Sequence, residues 1–185
     1  MRFPWIMSAA DGESNASSRA TGRGECPRKR VIVICQIDVR DVEPEDREDW
    51  LKLWEGYNAF YERVGPTALP SAVTDMTWAR FFDAQEPVHC LVAADGDRVV
   101  GLAHYIFHRN TIMLGPTCYL QDVFTSEQAR GRGVGRALID AVYDRARAAG
   151  AMRVYWHTHE SNATARGLYD KIAERSGFIV YRKDL

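Results

Sequence analysis

A glycine-rich turn at residues 130–135 carries the clearest chemical pattern in this sequence. Its residues, Arg130-Gly131-Arg132-Gly133-Val134-Gly135, follow a strand-like run and directly precede a stretch with apolar residues every three to four positions. The N-terminus of a helix presents unpaired N–H groups and a partial positive charge, and glycines let an anion approach the backbone closely. The spacing therefore predicts an anion cradle and a ligand that carries phosphate.

The run before this turn carries a single carboxylate, Asp122, beside the neutral amide of Gln121. Alternation along a strand puts these two side chains on opposite faces of the predicted sheet. The amide cannot act as a base. A carboxylate can accept a proton directly, act through a water chain, or serve only as a structural hydrogen-bond acceptor. All three roles stay open for Asp122.

Imidazole and carboxylate groups also cluster after the next apolar run, at His157, His159 and Glu160. These groups can bind a metal ion, but no further cluster with ligand spacing accompanies them. The four cysteines are far apart and contain no Cys-x-x-Cys pair: Cys26, Cys35, Cys90 and Cys118. We therefore predict no metal site and no disulfide framework, and we expect a reducing, cytoplasmic compartment.

Regular elements must hold these side chains in position. Hydrophobic periodicity and turn residues divide the chain into alternating strands and helices. The patterns predict strands at 31–39, 88–94, 99–108, 118–125, 152–156 and 178–182, and helices at 44–64, 74–82, 134–149 and from 162 onward. The glycine turn thus connects a strand to a helix, the place where α/β units hold their ligands.

Three protein classes build glycine-rich turns of this kind, and two of them fit poorly. A Walker loop ends in Gly-Lys-Ser or Gly-Lys-Thr, which is absent here. A Rossmann unit needs an acid at the end of the next strand, where this chain has Trp156-His157. The turn instead resembles the Arg/Gln-x-x-Gly-x-Gly/Ala motif of the GNAT superfamily of acyl-CoA N-acyltransferases.

A second motif supports the same resemblance. Residues 162–169 read Asn-Ala-Thr-Ala-Arg-Gly-Leu-Tyr and are followed by Gly177-Phe178, similar to the family pattern Asn-x-x-Ala-x-x-Leu/Phe-Tyr…Gly-Phe. The resemblance covers about residues 31–181, and its wording is closest to the histone/polyamine acetyltransferase-like branch. It implies an α/β (α+β) GNAT fold: a mixed, mostly antiparallel sheet of six to seven strands, with helices on both faces and splayed fourth and fifth strands.

The resemblance also implies site residues. Asn162 would lie near the pantetheine arm, and Tyr169 would give a proton to the departing thiolate. The main-chain N–H of Val123 would polarise the thioester carbonyl, Thr125 would hold pantetheine through its backbone, and Asp122 would be the base or a substrate contact. The turn would hold the pyrophosphate by its backbone, with the first two arginine side chains assisting: Arg130, Gly131, Arg132, Gly133, Val134 and Gly135.

For the reaction, the resemblance implies acetyl transfer from acetyl-CoA, without a metal, to a primary amine. The acceptor would be a small molecule, such as a polyamine, an amino acid or an aminoglycoside-like compound, or a lysine side chain. Aromatic residues in the first two helices and their connection would help to form the amine pocket: Tyr57, Tyr61, residues 65–71, Trp78 and Phe81. Because no general base is obvious, a non-catalytic acyl-CoA-binding module remains the alternative.

Length and composition limit the number of domains and the kinds of partner that the chain can have. A chain of 185 residues with 46% hydrophobic content can bury one ordinary core, so we predict a single domain at 31–185 after a polar, disordered tail at 1–30. A formal net charge of −1 gives no reason to expect nucleic-acid binding. No apolar run approaches the length of a membrane helix. The oligomeric state stays open at this point, and the resemblance adds a homodimer as one alternative, since dimers are common in that family.

Overall fold

A five-stranded sheet forms the centre of the structure, a computed structural model that describes residues 37–185. The strands are β1 (Asp38–Asp41), β2 (Val88–Asp95), β3 (Arg98–His108), β4 (Thr117–Thr125) and β5 (Arg153–Tyr155), and their order in the sheet follows the chain. The first four strands pair antiparallel, whereas β4 and β5 pair parallel. The predicted mixed, mostly antiparallel sheet is therefore confirmed.

One face of the sheet is covered by α1 (Arg47–Phe60) and α2 (Ser71–Arg80). A 3-10 turn at Pro44–Asp46 leads into α1, and the Asp46 carboxylate accepts the Glu43 N–H at 2.8 Å. The buried stripe of α1 has the predicted spacing: Trp50, Leu53, Trp54 and Tyr57. The helix ends four residues earlier than predicted, because Glu62 has a φ of +58°, a left-handed conformation that cannot continue a right-handed helix.

The opposite face is covered by α3 (Val134–Ala148) and by the short helix α4 (Ala163–Tyr169). The apolar stripe of α3 is fully buried against the sheet: Val134, Leu138, Ile139, Val142 and Ala146. Gly150 follows α3 with φ +68°, a left-handed conformation that ends the helix as its position predicted. The structure therefore has two cores, one on each face of the sheet, and the prediction of helices on both faces is confirmed.

Two details of the sheet differ from the prediction. The structure has five strands within residues 37–185 rather than six to seven, since residues 178–182 form no ladder. Phe178 and Tyr181 are about nine-tenths exposed there. The segment has residues typical of a strand, but it packs on neither a neighbouring strand nor the core, and strand propensity alone does not form a ladder. Of the predicted first strand, residues 31–36 lie outside the described part of the chain, as does the predicted tail at 1–30.

Within residues 37–185, no helix combines the length and the apolar character needed to cross a membrane.

Candidate active site

A cleft opens where β4 and β5 separate. The two strands pair only from Thr117↔Arg153 to Tyr119↔Tyr155, and β4 then continues alone to Thr125. A bulge helps to part them, since His104 pairs with Asp122 but Tyr105 pairs with Leu120, which leaves Gln121 as the extra residue. Bulges bend a strand and redirect its side chains. The predicted splaying of the fourth and fifth strands is therefore observed and has a local cause.

Both sequence motifs meet at this cleft, which has a volume of about 310 Å³. Strand β4, the turn before α3, the end of β5, helix α4 and the C-terminal end of α1 all contribute to its walls. Six of the residues predicted for the site line it: Val123, Thr125, Arg130, Gly135, Asn162 and Tyr169. The other five predicted residues lie behind its walls or in the adjoining turn: Asp122, Gly131, Arg132, Gly133 and Val134.

The exposed edge of β4 presents main-chain donors to this cleft. Ser126, just after β4, donates its N–H to the Val100 carbonyl of β3 at 2.9 Å. Because the N–H groups of a strand point alternately to its two edges, those of Val123 and Thr125 point away from β3. On that side β5 has already ended, so these two N–H groups face the opening.

The glycine turn has the backbone geometry of an anion cradle. Gly131 and Gly133 have φ values of +74° and +83°, which residues with a Cβ rarely adopt. Gly133 is also the N-cap of α3, whose first turn contains no acidic side chain. A Cβ added to Gly135 would lie 3.8 Å from the Thr125 hydroxyl, on the cleft side. The turn therefore leaves the N-terminus of α3 open to an anionic group.

The two arginine side chains of the turn differ in their contacts. Arg130 lines the cleft and forms an exposed ion pair with Glu127 at 3.5 Å. Arg132 forms an ion pair with Asp95, at the end of β2, at 2.6 Å. The Arg132 guanidinium is thus held by the β2–β3 hairpin. The predicted assistance from this side chain would have to compete with that ion pair.

Tyr169 and Asn162 lie on the α4 side of the cleft. Asn162 caps α4, since its Oδ1 accepts the Ala165 N–H at 3.3 Å, and its Nδ2 donates to the Thr158 hydroxyl at 3.4 Å. The Tyr169 ring packs edge-on against Trp156 with ring centres 5.2 Å apart. Burial, followed by the nearby Tyr61, raises the pKa of Tyr169 above its ordinary value. The phenol therefore stays protonated at neutral pH.

Asp122 takes part in a buried chain of hydrogen bonds that the sequence did not predict. The Trp50 indole donates to His104 Nε2 at 3.0 Å, and His104 Nδ1 lies 3.0 Å from Asp122 Oδ2. An indole N–H can only donate, so Nε2 is an acceptor and the proton resides on Nδ1. His104 is thus a neutral imidazole that donates to the carboxylate. His104, a residue of β3, therefore orients Asp122.

Two tyrosines at the end of α1 connect Asp122 with the cleft. Both Tyr57 and Tyr61 line the opening, and their ring centres are 5.0 Å apart. Burial first, and then the charge and hydrogen bonding of Asp122, raise the pKa of Tyr57. Burial and the charge of Asp122 likewise raise the pKa of Tyr61. The carboxylate thus acts electrostatically on the two phenols that face the ligand space.

Other predicted pocket residues have structural roles. Trp78 and Phe81 pack against Trp50 with ring centres 4.8 and 5.7 Å away, as partly buried residues that cover the core beneath α1. Residues 65–71 do not line the cleft, whereas Phe60 does. The prediction that Trp78 and Phe81 line the pocket is therefore wrong. Helical periodicity shows that an aromatic side chain faces the protein, but it does not distinguish contact with the core from contact with a pocket.

The histidines after β5 form hydrogen bonds that the spacing of residues in the sequence does not predict. His157 lines the cleft and its Nδ1 lies 3.2 Å from the Tyr119 hydroxyl, while His159 contacts Ser161 within the next loop. Within residues 37–185, no group of three His, Cys, Asp or Glu side chains has the arrangement needed to hold a metal ion.

The sheet, its opening between β4 and β5 and the glycine turn before α3 define the fold class of acyl-CoA N-acyltransferases. The sequence profile of the Acetyltransferase (GNAT) family matches residues 50–173. The chain therefore belongs to the GNAT family and is an acetyl-CoA-dependent N-acetyltransferase, which disfavours the non-catalytic alternative.

Relatives and solved structures agree with this assignment. The chain is 37% identical over 156 residues to the D-amino-acid N-acetyltransferase of Saccharomyces cerevisiae, a match that covers 83% of this chain and 94% of the yeast protein. The aminoglycoside N-acetyltransferase AAC(6')-Iy, solved in complex with CoA, matches 80% of this chain and 95% of its own with a TM-score of 0.68 and 17% identity.

A ribosomal-protein-alanine N-acetyltransferase from Brucella melitensis biovar Abortus 2308 is a further structural neighbour. It matches 81% of this chain and 99% of its own, with a TM-score of 0.66 and 17% identity. At such identities these two structures establish the fold alone.

Proposed function

We propose that this protein transfers the acetyl group of acetyl-CoA to the primary amine of a small molecule by direct attack. One observation carries the proposal: the opening between β4 and β5 brings the glycine turn, the free N–H edge of β4 and the Tyr169 phenol into a single cleft. Those are the three kinds of group that binding a phosphate, polarising a carbonyl and protonating a thiolate require.

The binding roles follow from the positions of the main-chain donors. The turn at 130–135 would hold the pyrophosphate through backbone N–H groups and the dipole of α3, with Arg130 close by. The N–H of Thr125 and the Asn162 side chain would bind the pantetheine arm. The N–H of Val123 would donate to the thioester oxygen as it gains negative charge. No step in this scheme needs a metal ion.

Proton transfer would be divided between two sides of the cleft. Tyr169 would give its phenolic proton to the departing thiolate, since the raised pKa keeps that proton in place at neutral pH. Asp122 is buried and bound by His104, so it would act on the amine only through the intervening tyrosines or water. We therefore assign Asp122 a positioning role in place of direct contact with the amine.

The acceptor class is the finer part of the proposal. Tyr57 and Tyr61 give the cleft an aromatic wall beside the negative charge of Asp122, an arrangement that favours a cationic amine. The yeast relative is named for its action on D-amino acids. Among the small amines considered, this similarity favours amino acids as the acceptor. A cytoplasmic location and a homodimer remain predictions.

A thiol-release assay tests the function. Purified protein with acetyl-CoA would be offered D- and L-amino acids, a polyamine, an aminoglycoside and a lysine peptide, and each product would be checked by mass for one added acetyl group. Amine-dependent release of CoA together with the acetylated product supports the proposal. Saturable CoA binding without release by any of these amines would count against it.

A further inference from the structure

Arg63 is not itself a lining residue of the cleft, but its guanidinium lies over the rings of two tyrosines that are, Tyr57 and Tyr61. Its guanidinium carbon is 5.8 Å from the ring centre of Tyr57 and 5.3 Å from that of Tyr61. The side chain donates to Asn58 Oδ1 at 2.9 Å, and Asn58 in turn donates to the Trp54 carbonyl at 2.8 Å. Arg63 is therefore held in a fixed position rather than extended into solvent.

The charge of this arginine has no carboxylate partner within the part of the chain that the structure describes. The Arg63 guanidinium forms no ion pair within 4.0 Å among residues 37–185, whereas both arginines of the glycine turn do. Its observed hydrogen-bond partner is a neutral amide oxygen, and stacking leaves donors at the guanidinium edge available. Arg63 can therefore accept a planar anion without breaking an existing ion pair.

The tyrosine pair is within electrostatic range of both a negative and a positive charge. Asp122 raises the pKa of both Tyr57 and Tyr61, and Arg63 lowers it at both, so each hydroxyl is within electrostatic range of both charges. Tyr61 also acts on Tyr169, which puts this pair close to the proposed acid. A ligand at the tyrosines is therefore within range of the Asp122 carboxylate and of the Arg63 guanidinium.

We propose that Arg63 binds the carboxylate of the acceptor, which makes the acceptor class α-amino acids, with the amine directed toward the Asp122 side and the thioester. This inference rests on the proposed function and names the acceptor for the same cleft. A guanidinium donates two parallel hydrogen bonds to a carboxylate, so it would orient the acceptor as well as bind it.

The same charge pattern disfavours a polyamine acceptor. A polyamine carries several positive charges and no carboxylate, so one of its ammonium groups would lie beside the Arg63 guanidinium. Like charges at short range oppose binding. An amino acid with a free carboxylate matches both ends of the pattern.

Kinetics with matched acceptors test the proposal. The wild type, Arg63→Met and Arg63→Lys would each be assayed with amino acids of both configurations and with the corresponding α-amides, which lack only the carboxylate charge. Arg153→Met serves as the matched control, because Arg153 also stacks on a tyrosine, Tyr155, that does not line the cleft. Binding of CoA, measured by calorimetry, checks that each variant is folded.

We expect Arg63→Met to raise the KM for the free amino acid roughly 10- to 100-fold, the loss typical of a charge-assisted hydrogen bond, while kcat/KM for the amide and CoA binding stay unchanged. Arg63→Lys should retain part of the preference for the free amino acid over its amide, and Arg153→Met should retain all of that preference.

Three outcomes separate the inference from the function on which it rests. Equal losses with acid and amide, or a wild type that prefers the amide, would overturn the role of Arg63 and leave the acetyltransferase proposal standing. The same holds for a wild type that acetylates polyamines and ignores amino acids. Absence of acetylation with every acceptor would overturn both proposals.

Discussion

At the scale of single residues, Tyr169 depends on packing for its proposed chemistry. The ring is held edge-on by Trp156 and lies in the cleft wall, so its hydroxyl has a defined direction. Burial raises the pKa of this phenol above 10.0, which keeps the acid form present at any neutral or mildly alkaline pH. An ordinary surface tyrosine would lack both properties.

Removal of this hydroxyl should therefore slow chemistry more than it weakens binding. We expect Tyr169→Phe to lower kcat by about 100-fold or more with little change in CoA affinity, the effect of losing a general acid. Loss of the Tyr169 proton should lower the wild-type rate only at a pH above the range in which an ordinary tyrosine titrates, because burial raises the pKa of Tyr169. Steady-state kinetics against pH and calorimetry with CoA measure both.

Tyr143→Phe is the matched control for this substitution. Tyr143 donates to the Ile172 carbonyl at 3.4 Å and does not line the cleft, so its loss should leave kcat unchanged. Equal kcat values for Tyr169→Phe and the wild type would remove Tyr169 from the mechanism.

Trp50 contributes to stability through one specific buried hydrogen bond. It has no exposed surface, and its indole N–H satisfies the buried His104 Nε2. We expect Trp50→Phe to lower the free energy of unfolding by about 2–4 kcal/mol, because it leaves both a cavity and an unpaired buried acceptor. Urea unfolding followed by circular dichroism measures this loss.

Trp54→Phe provides the comparison on the same helix. The Trp54 indole donates to the Thr74 hydroxyl at 3.3 Å, in a partly buried contact where water can replace it. Its cost should be smaller, about 1–2 kcal/mol. If the two substitutions cost the same, the Trp50–His104 hydrogen bond contributes nothing specific to stability.

At the scale of elements, the glycine turn and α3 act as one unit. The two left-handed glycines turn the chain so that α3 begins with its N-terminus toward the cleft. Gly135 already belongs to the helix, yet the position of its Cβ would face the cleft between β4 and α4. The glycines of one turn therefore serve two different purposes, backbone conformation and ligand space.

Substitutions at two positions of the turn should separate these purposes. Gly133→Ala forces a Cβ into a left-handed conformation and should cost about 1–2 kcal/mol of stability. Gly135→Ala has ordinary contacts and helical geometry, so stability should stay the same or rise by up to about 1 kcal/mol. The resembled motif admits alanine at this position, so CoA affinity in Gly135→Ala should stay close to that of the wild type. The larger side chain of Gly135→Leu should instead weaken CoA binding at least about 10-fold by displacing a phosphate from the backbone donors.

Thermal unfolding and calorimetry with CoA on these variants measure the effects. Wild-type affinity in Gly135→Leu would contradict the assignment of the cradle to this turn.

At the scale of the whole molecule, the cleft exists only when the two cores are assembled on the sheet. Its walls come from α1 on one face, α3 and α4 on the other, and the unpaired edge of β4 between them. No single element contains the site. A ligand that binds here binds the folded state and not the unfolded chain.

Acetyl-CoA should therefore stabilise the protein by mass action. At a concentration of about 100 times its Kd it should raise the free energy of unfolding by about 2.7 kcal/mol and raise Tm accordingly. NAD, which also carries a pyrophosphate but no pantetheine, should cause a much smaller shift. Scanning calorimetry with each ligand makes the comparison, and equal shifts would indicate an unspecific anion site.

The sequence by itself determined the features that depend on local order. The stripes of α1 and α3 follow from apolar spacing, the turn between β2 and β3 from Asp95-Gly-Asp97, and the cradle from the glycines before α3. Each of these depends on residues within a few positions of one another. Periodicity and backbone permissiveness are local properties, and for that reason they can be read without a structure.

Only the tertiary structure decided which distant side chains meet. Trp50 is 54 positions from its hydrogen-bond partner His104, and His104 is 18 positions from Asp122. The position of Arg63 over two cleft tyrosines depends on how the chain leaves α1. Trp78 has the same local pattern as a pocket aromatic, yet the position of α2 packs it against the core. Residues 178–182 have the composition of a strand but lack a neighbouring strand. Pairing, burial and the charge around a side chain are set by residues far away in the chain, which local patterns do not contain.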